Sequence, residues 1–201
     1  MHREARTANF FLRDELRVVL VAPRNPLNIG AAARAMANFG LSDLRLVAPK
    51  CPWPNEKATA MAVGASNVTE SARLYPTLEE GLGDLNYVLG TTARERGATK
   101  EVLTPQEGAR RLREAVARGQ KCAILFGNER AGLENDEISL CDAVITIPTS
   151  EFTSINLGQA VLITAYEWFR AADVTQPARI EHNPMHRKPR SEERRVGKEC
   201  Q

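Results

Sequence analysis

Residues 17–48 read RVVLVAPRNPLNIGAAARAMANFGLSDLRLVA, and they decide the fold. Arg17 to Pro23 is a short valine-rich run bounded by polar residues and a proline, which predicts a buried strand. A loop from Arg24 to Asn28 leads into an alanine-rich helix, Ile29 to Phe39, with Gly40 at its C-cap. Leu44 to Ala48 is the next strand. Strand, helix and strand in this order imply an α/β fold with a parallel sheet and a right-handed crossover. Gly30, Ala31, Ala32, Ala33, Ala35 and Ala37 leave the helix almost without side-chain bulk, so another backbone or another subunit can come close. Arg34 is the long charged side chain in that field. Alone it reads as a solvated surface residue; Asn28, at the mouth of the same strand-to-helix turn, makes the pair a site candidate.

The chain repeats the pattern further on. Tyr87 to Thr91, Cys122 to Phe126 and Ala143 to Ile147 have the apolar runs of buried strands, and helices are expected over 55–64, 76–83, 104–118, 134–140 and 155–171. Gly127-Asn128-Glu129-Arg130-Ala131-Gly132-Leu133 follows the Cys122 to Phe126 strand directly, at the end where open parallel sheets place their ligands. The basic loop from Arg94 to Lys100 reads equally as a phosphate contact or as an exposed connection. Glu151 to Leu162, EFTSINLGQAVL, hands a run of small polar residues over to an apolar helix. Thr153 or Ser154 would cap that helix. Its free N–H groups, with Ser154 and Asn156 beside them, could also grip a polar ligand.

At 201 residues the chain fits one folded domain, 17–173, between an N-terminal extension, 1–16, and a polar tail, 174–201. Its 43% hydrophobic and 26% charged content is ordinary, and a net charge of +2 indicates nucleic-acid binding only where basic residues cluster. No apolar run reaches membrane-spanning length, and charges stand where a signal peptide needs its apolar core, so a cytoplasmic protein without a membrane partner is expected. The cysteines show no C-x-x-C pairing; Cys122 and Cys141 read as buried free thiols. His2, His182 and His186 lie near the termini, which argues against a Ser-His-Asp triad or a His-ligated metal in the body. Arg190 to Cys200, RSEERRVGKEC, resembles the conceptual translation of a sequencing-library adapter; a natural charged tail is the alternative.

Three motifs now stand in order: Asn28-x-Gly30 with Arg34, Phe126-Gly127-x-Glu129 through Gly132-Leu133, and Ser154-Ile155-Asn156-Leu157. Together they resemble the SpoU/TrmH type of the SPOUT RNA 2′-O-methyltransferases, over about Arg17 to Trp168. Gly90 to Arg94 and the A-Y-E near the end of the last helix look most like the TrmJ branch, which methylates the ribose of the first pyrimidine of the tRNA anticodon loop. The resemblance implies a C-terminal trefoil knot and a homodimer with each active site at the subunit interface, which would account for the bare alanine face. It implies S-adenosylmethionine held mainly by backbone groups at Thr91, Thr92, Ala93, Gly127, Ile147, Ile155, Asn156 and Leu157, Gly127 being small enough to let the ligand approach. It also implies Arg34 as the catalytic arginine, with Asn28, Glu129, Ser154 and Asn156 orienting it and the ribose, and Glu129 fixing the guanidinium. A guanidinium is a poor general base, so Arg34 is expected to bind the neighbouring phosphate and share the leaving proton with it. A non-catalytic RNA-binding protein on the same fold, or a 2′-O-methyltransferase of another tRNA or rRNA position, is the alternative; a dehydrogenase is disfavoured because no G-x-G-x-x-G follows the first strand.

Overall fold

The valine-rich opening run forms the strand β1, Leu16–Val21, inside a seven-stranded sheet, and its alternate side chains supply two different cores. Val18 and Leu20 point into the larger core and Val19 and Val21 into the smaller, as the period of a strand buried on both faces requires. The computed structural model describes residues 16–93 and 100–172. The N-terminal extension up to residue 15, most of the basic loop after Ala93 and the polar tail lie outside the described residues.

After β1 come α1 (Pro26–Asn38), β2 (Leu44–Val47), α2 (Glu56–Met61), α3 (Ser66–Glu70), β3 (Arg73–Tyr75), α4 (Leu78–Leu82) and β4 (Tyr87–Thr91). Then follow β5 (Val102–Leu103), α5 (Pro105–Ala117), β6 (Cys122–Phe126), α6 (Asn135–Ser139), β7 (Ala143–Ile145) and α7 (Leu157–Arg170). The strand order is β3-β2-β1-β6-β4-β7-β5, and every pairing is parallel. Helices α1, α2, α5 and α7 contribute to the larger core; α4 and α6 cover the other face. The chain's late elements sit inside the molecule: β7 lies between β4 and β5, and α7 packs on α1 and α5. That placement is what a C-terminal knot would require.

Helix α1 begins three residues earlier than its alanine run suggests. Asn25 caps it, its side chain accepting from Leu27 N, and Pro26 starts it, where a missing N–H costs nothing. Asn28 therefore stands in the first helical turn and not in a loop. Helix α7 likewise starts later than expected, with Asn156 as its cap in place of Thr153 or Ser154. The small residues of α1 let other parts of this chain come close, the first of the two occupants that the sequence allows. A Cβ on Gly30 would stand 2.2 Å from the Ala58 carbonyl oxygen of α2, and one on Gly158 would meet Ala31 Cβ at 2.7 Å. Cys122 and Cys141 are buried free thiols, as expected, and no helix among the described residues is long and apolar enough to cross a membrane.

Candidate functional site

The sheet's C-terminal ends bring Asn28, Glu129 and Asn156 into one line of hydrogen bonds. Asn156 caps α7 by accepting from Gly158 N at 2.9 Å, and its Nδ2 donates to Asn28 Oδ1 at 2.9 Å. Asn28 Nδ2 in turn donates to Glu129 Oε1 at 3.0 Å. Glu129 also accepts from Asn25 N and Arg24 N, both at 3.0 Å. These backbone groups are delivered by a turn at Ala22, whose φ of 47° is left-handed. Burial pushes the Glu129 carboxyl upward, but the donors from Asn28, Asn25 and Arg24 outweigh it and hold the group below its ordinary value, hence ionised at neutral pH. Nearby Cys51 is pushed up, first by burial and then by the Glu129 charge, so its thiol stays protonated.

Glu129 is presented by a tight loop after β6. A Cβ on Gly127 would lie 2.0 Å from Gly132 C and 2.1 Å from Leu133 N, so the missing side chain makes room for the loop's own backbone. This corrects the expectation that it makes room for a ligand. Gly132 adopts φ 69°, which favours glycine, and Asn128 Oδ1 accepts from Arg130 N and Ala131 N at 3.0 and 2.9 Å, closing the turn.

Beside this line opens a cleft of about 270 Å³. Its walls include Thr91, Thr92 and Ala93 after β4, the 127–133 loop, and Ile147, Ser154, Ile155 and Leu157. Thr91 is pinned by its hydroxyl donating to Leu125 O at 2.9 Å, and Thr92 N donates to Ile145 O at 3.0 Å. By contrast, no backbone N–H from 147 to 155 donates to a partner among the described residues. Ile147 and Ile155, both half-buried, bring two of these N–H groups to the cleft wall, where a polar ligand could partner them. No group of three or more His, Cys, Asp and Glu placed to hold a metal exists among the described residues.

Of the residues expected to hold a cofactor, Thr91, Thr92, Ala93, Gly127, Ile147, Ile155 and Leu157 line the cleft; Asn156 does not, since its side chain is turned to Asn28. Of those expected to be catalytic, Asn28, Glu129 and Asn156 are joined, and Ser154 lines the cleft with its side chain exposed. Arg34 is exposed on α1 and outside the cleft lining. Among the described residues no guanidinium pairs with Glu129; its partners there are Asn28 and the 24–25 backbone. Asn25 and Asn128 were missed. The Asn25-Pro26 pair is a helix-start signal that could have found the first; Asn128 becomes meaningful once the loop it closes is seen.

The sequence model of the SpoU rRNA Methylase family matches residues 15–166. The chain belongs to that family. Among curated members it is 44% identical over 155 residues to the tRNA (cytidine/uridine/adenosine-2'-O-)-methyltransferase TrmJ of Pseudomonas aeruginosa, an alignment covering 77% of this chain and 60% of that protein. It is 40% identical over 176 residues to the tRNA (cytidine/uridine-2'-O-)-methyltransferase TrmJ of Klebsiella pneumoniae, covering 84% and 70%. The crystal structure of TrmJ from Z. mobilis superposes with a TM-score of 0.73 at 47% identity, covering 81% of this chain and 72% of that one. The chain thus spans about two thirds of the length of these SpoU relatives. The three motifs that form the site all fall inside the matched region.

Proposed function

We propose that the chain transfers a methyl group from S-adenosylmethionine to a ribose 2′-OH of tRNA, at the first pyrimidine of the anticodon loop. The observation that carries this is the Asn156–Asn28–Glu129 hydrogen-bond line beside a cleft whose Ile147 and Thr153 to Ile155 N–H groups have no partner among the described residues. Membership of the SpoU family and the curated names of its TrmJ relatives support the substrate class.

The residues present fit the methyl donor. A nucleoside needs hydrogen-bond partners for its ring and ribose edges and apolar surface for its faces; the backbone of Ile147 and of Thr153 to Ile155 offers the first, and Ile145, Ile147 and Leu157 the second. Bound there, S-adenosylmethionine would supply an electrophilic methyl and a thioether leaving group. The chain itself must then hold the acceptor ribose and dispose of its proton. Ionised Glu129 fixes the Asn28 amide so that its oxygen faces Asn156, and the one amide proton left on the exposed Asn156 is offered to the ribose. Ser154, exposed at the cleft wall, offers a further hydroxyl. Arg34 binds the phosphate next to the target ribose from outside the cleft, and the proton passes to that phosphate–guanidinium pair.

The working form we propose is a homodimer with the site at the subunit interface. Leu162 and Tyr166 stand exposed one turn apart on α7, an apolar stripe suited to a second copy. Incubating the chain with tRNA and methyl-labelled S-adenosylmethionine, then mapping 2′-O-methylation by RNA mass spectrometry, tests the activity and the position together. Absence of label in any tRNA, with cofactor bound, would refute the reading. Light scattering reads the dimer.

A further inference from the structure

We propose that Phe152 is the platform on which an unpaired base of the RNA stacks when its ribose is offered to the cleft, an inference that rests on the RNA-methyltransferase reading above. Phe152 is 77% exposed, the most exposed large apolar side chain among the described residues. The other strongly exposed aromatic, Tyr166, has the ring of Phe39 against it at 5.8 Å; Phe152 has no ring partner among the described residues. Single exposed apolar residues are common and by themselves mean little. The position of this one carries the weight. Every residue from 148 to 154 is exposed, and the residues directly after Phe152, namely Thr153, Ser154 and Ile155, line the cleft. The ring therefore stands at the cleft's mouth on a segment that no backbone hydrogen bond ties down among the described residues.

The facing lip has the opposite character. Arg130, exposed on the 127–133 loop, lines the same cleft. An aromatic ring on one lip and a guanidinium on the other match the two surfaces of a single-stranded nucleotide, a base face and a phosphate. A lid that closes over the methyl donor would also leave Phe152 exposed in the empty chain, and it is the outcome the test must separate.

The test compares the full chain with Phe152→Ala, Phe152→Leu and Phe152→Trp. All are expected to keep the wild-type Tm, because the side chain is exposed. Since stacking on an aromatic residue is worth ~1–3 kcal/mol per base, Phe152→Ala should raise the KM or Kd for tRNA roughly 5- to 150-fold. Phe152→Trp should restore it, while Phe152→Leu stays close to Ala, and calorimetry should find S-adenosylmethionine binding unchanged in all four chains. Leu as good as Phe would overturn the proposal, since any apolar contact would then suffice. So would a loss confined to S-adenosylmethionine affinity, the mark of a lid, or unaltered RNA parameters in the Ala variant. If the wild-type chain transfers no methyl group, the functional reading has failed separately, and gel retardation of tRNA by the same four chains decides this one: Phe and Trp tighter than Leu and Ala supports stacking, equal affinity overturns it. Failure of the wild-type chain to retard tRNA at all overturns both.

Discussion

At the N-terminal ends of the strands, Arg17, Arg45 and Arg73 converge on Asp43, and Arg45 also grips Asp84 and the Gly81 carbonyl. At the C-terminal ends of the same strands, a carboxylate is held by amides: two from the backbone and the side chain of Asn28. Arg45 is 0% exposed and spends its donors on neighbours inside the chain, while Tyr75 faces its guanidinium at 5.6 Å. The first arrangement sets three guanidiniums against two carboxylates and turns them on one another inside the chain. The second fixes its members yet leaves amide protons and a wall of N–H groups unspent. Paired charges hold one end of the sheet, whereas at the other a single carboxylate is held by neutral amides.

That contrast can be broken in four ways. Arg34→Ala should abolish methyl transfer while S-adenosylmethionine binding, measured by calorimetry, persists; near wild-type turnover would remove Arg34 from the chemistry. Glu129→Ala leaves Asn28 and two backbone N–H groups without their acceptor. It should cost about 1–3 kcal/mol in urea unfolding, and turnover should fall on the order of 100-fold as Asn28 and Asn156 lose their fixed geometry. Arg45→Met, at the opposite end, should do the reverse. Its expected cost is about 2–3 kcal/mol, less than a fully buried pair because the Asp84 side chain is 43% exposed, with kcat of the folded protein unchanged. A loss of kcat without a loss of stability would mean that the two ends are not independent.

The smallest effect concerns pH. Hydrogen bonding to Arg45 draws Asp84 from 3.8 down to about 2, and Glu129 also lies below its usual 4.5. Depressed carboxyls contribute stability above their unfolded pKa values and lose it as pH falls through the folded ones. Urea midpoints should therefore be level above about pH 4.5 and decline toward pH 2. In Arg45→Met the decline should be shallower, because Asp84 is no longer held down.

Much of this was legible in the residues. β1, β4 and β6 announce themselves as apolar runs because both their faces are buried. β3 does not: Arg73 and Leu74 are exposed at the sheet's edge, so no apolar pattern was needed there. β5, a strand of Val102 and Leu103 on the other edge, is too short to show a period. Asn28, Glu129 and Asn156 could be named from their motifs, yet their mutual bonds span 101 and 128 residues of chain and have no local signature. For the same reason Gly127 was understood as a space for a ligand until the backbone of Gly132 was found occupying it.

The pairing of α1 and α7 has a mechanical consequence. Asn156 is bolted to Asn28 at one end, Gly158 is seated on Ala31 with no room for a methyl group, and Phe39 wedges against Tyr166 and Phe169 at 5.8 and 5.9 Å at the other. Fastened along its whole length, the pair is one stiff lever with its short arm at the cleft. A shift imposed at Asn156 would therefore carry the Tyr166 end with it, on the exposed side of α7.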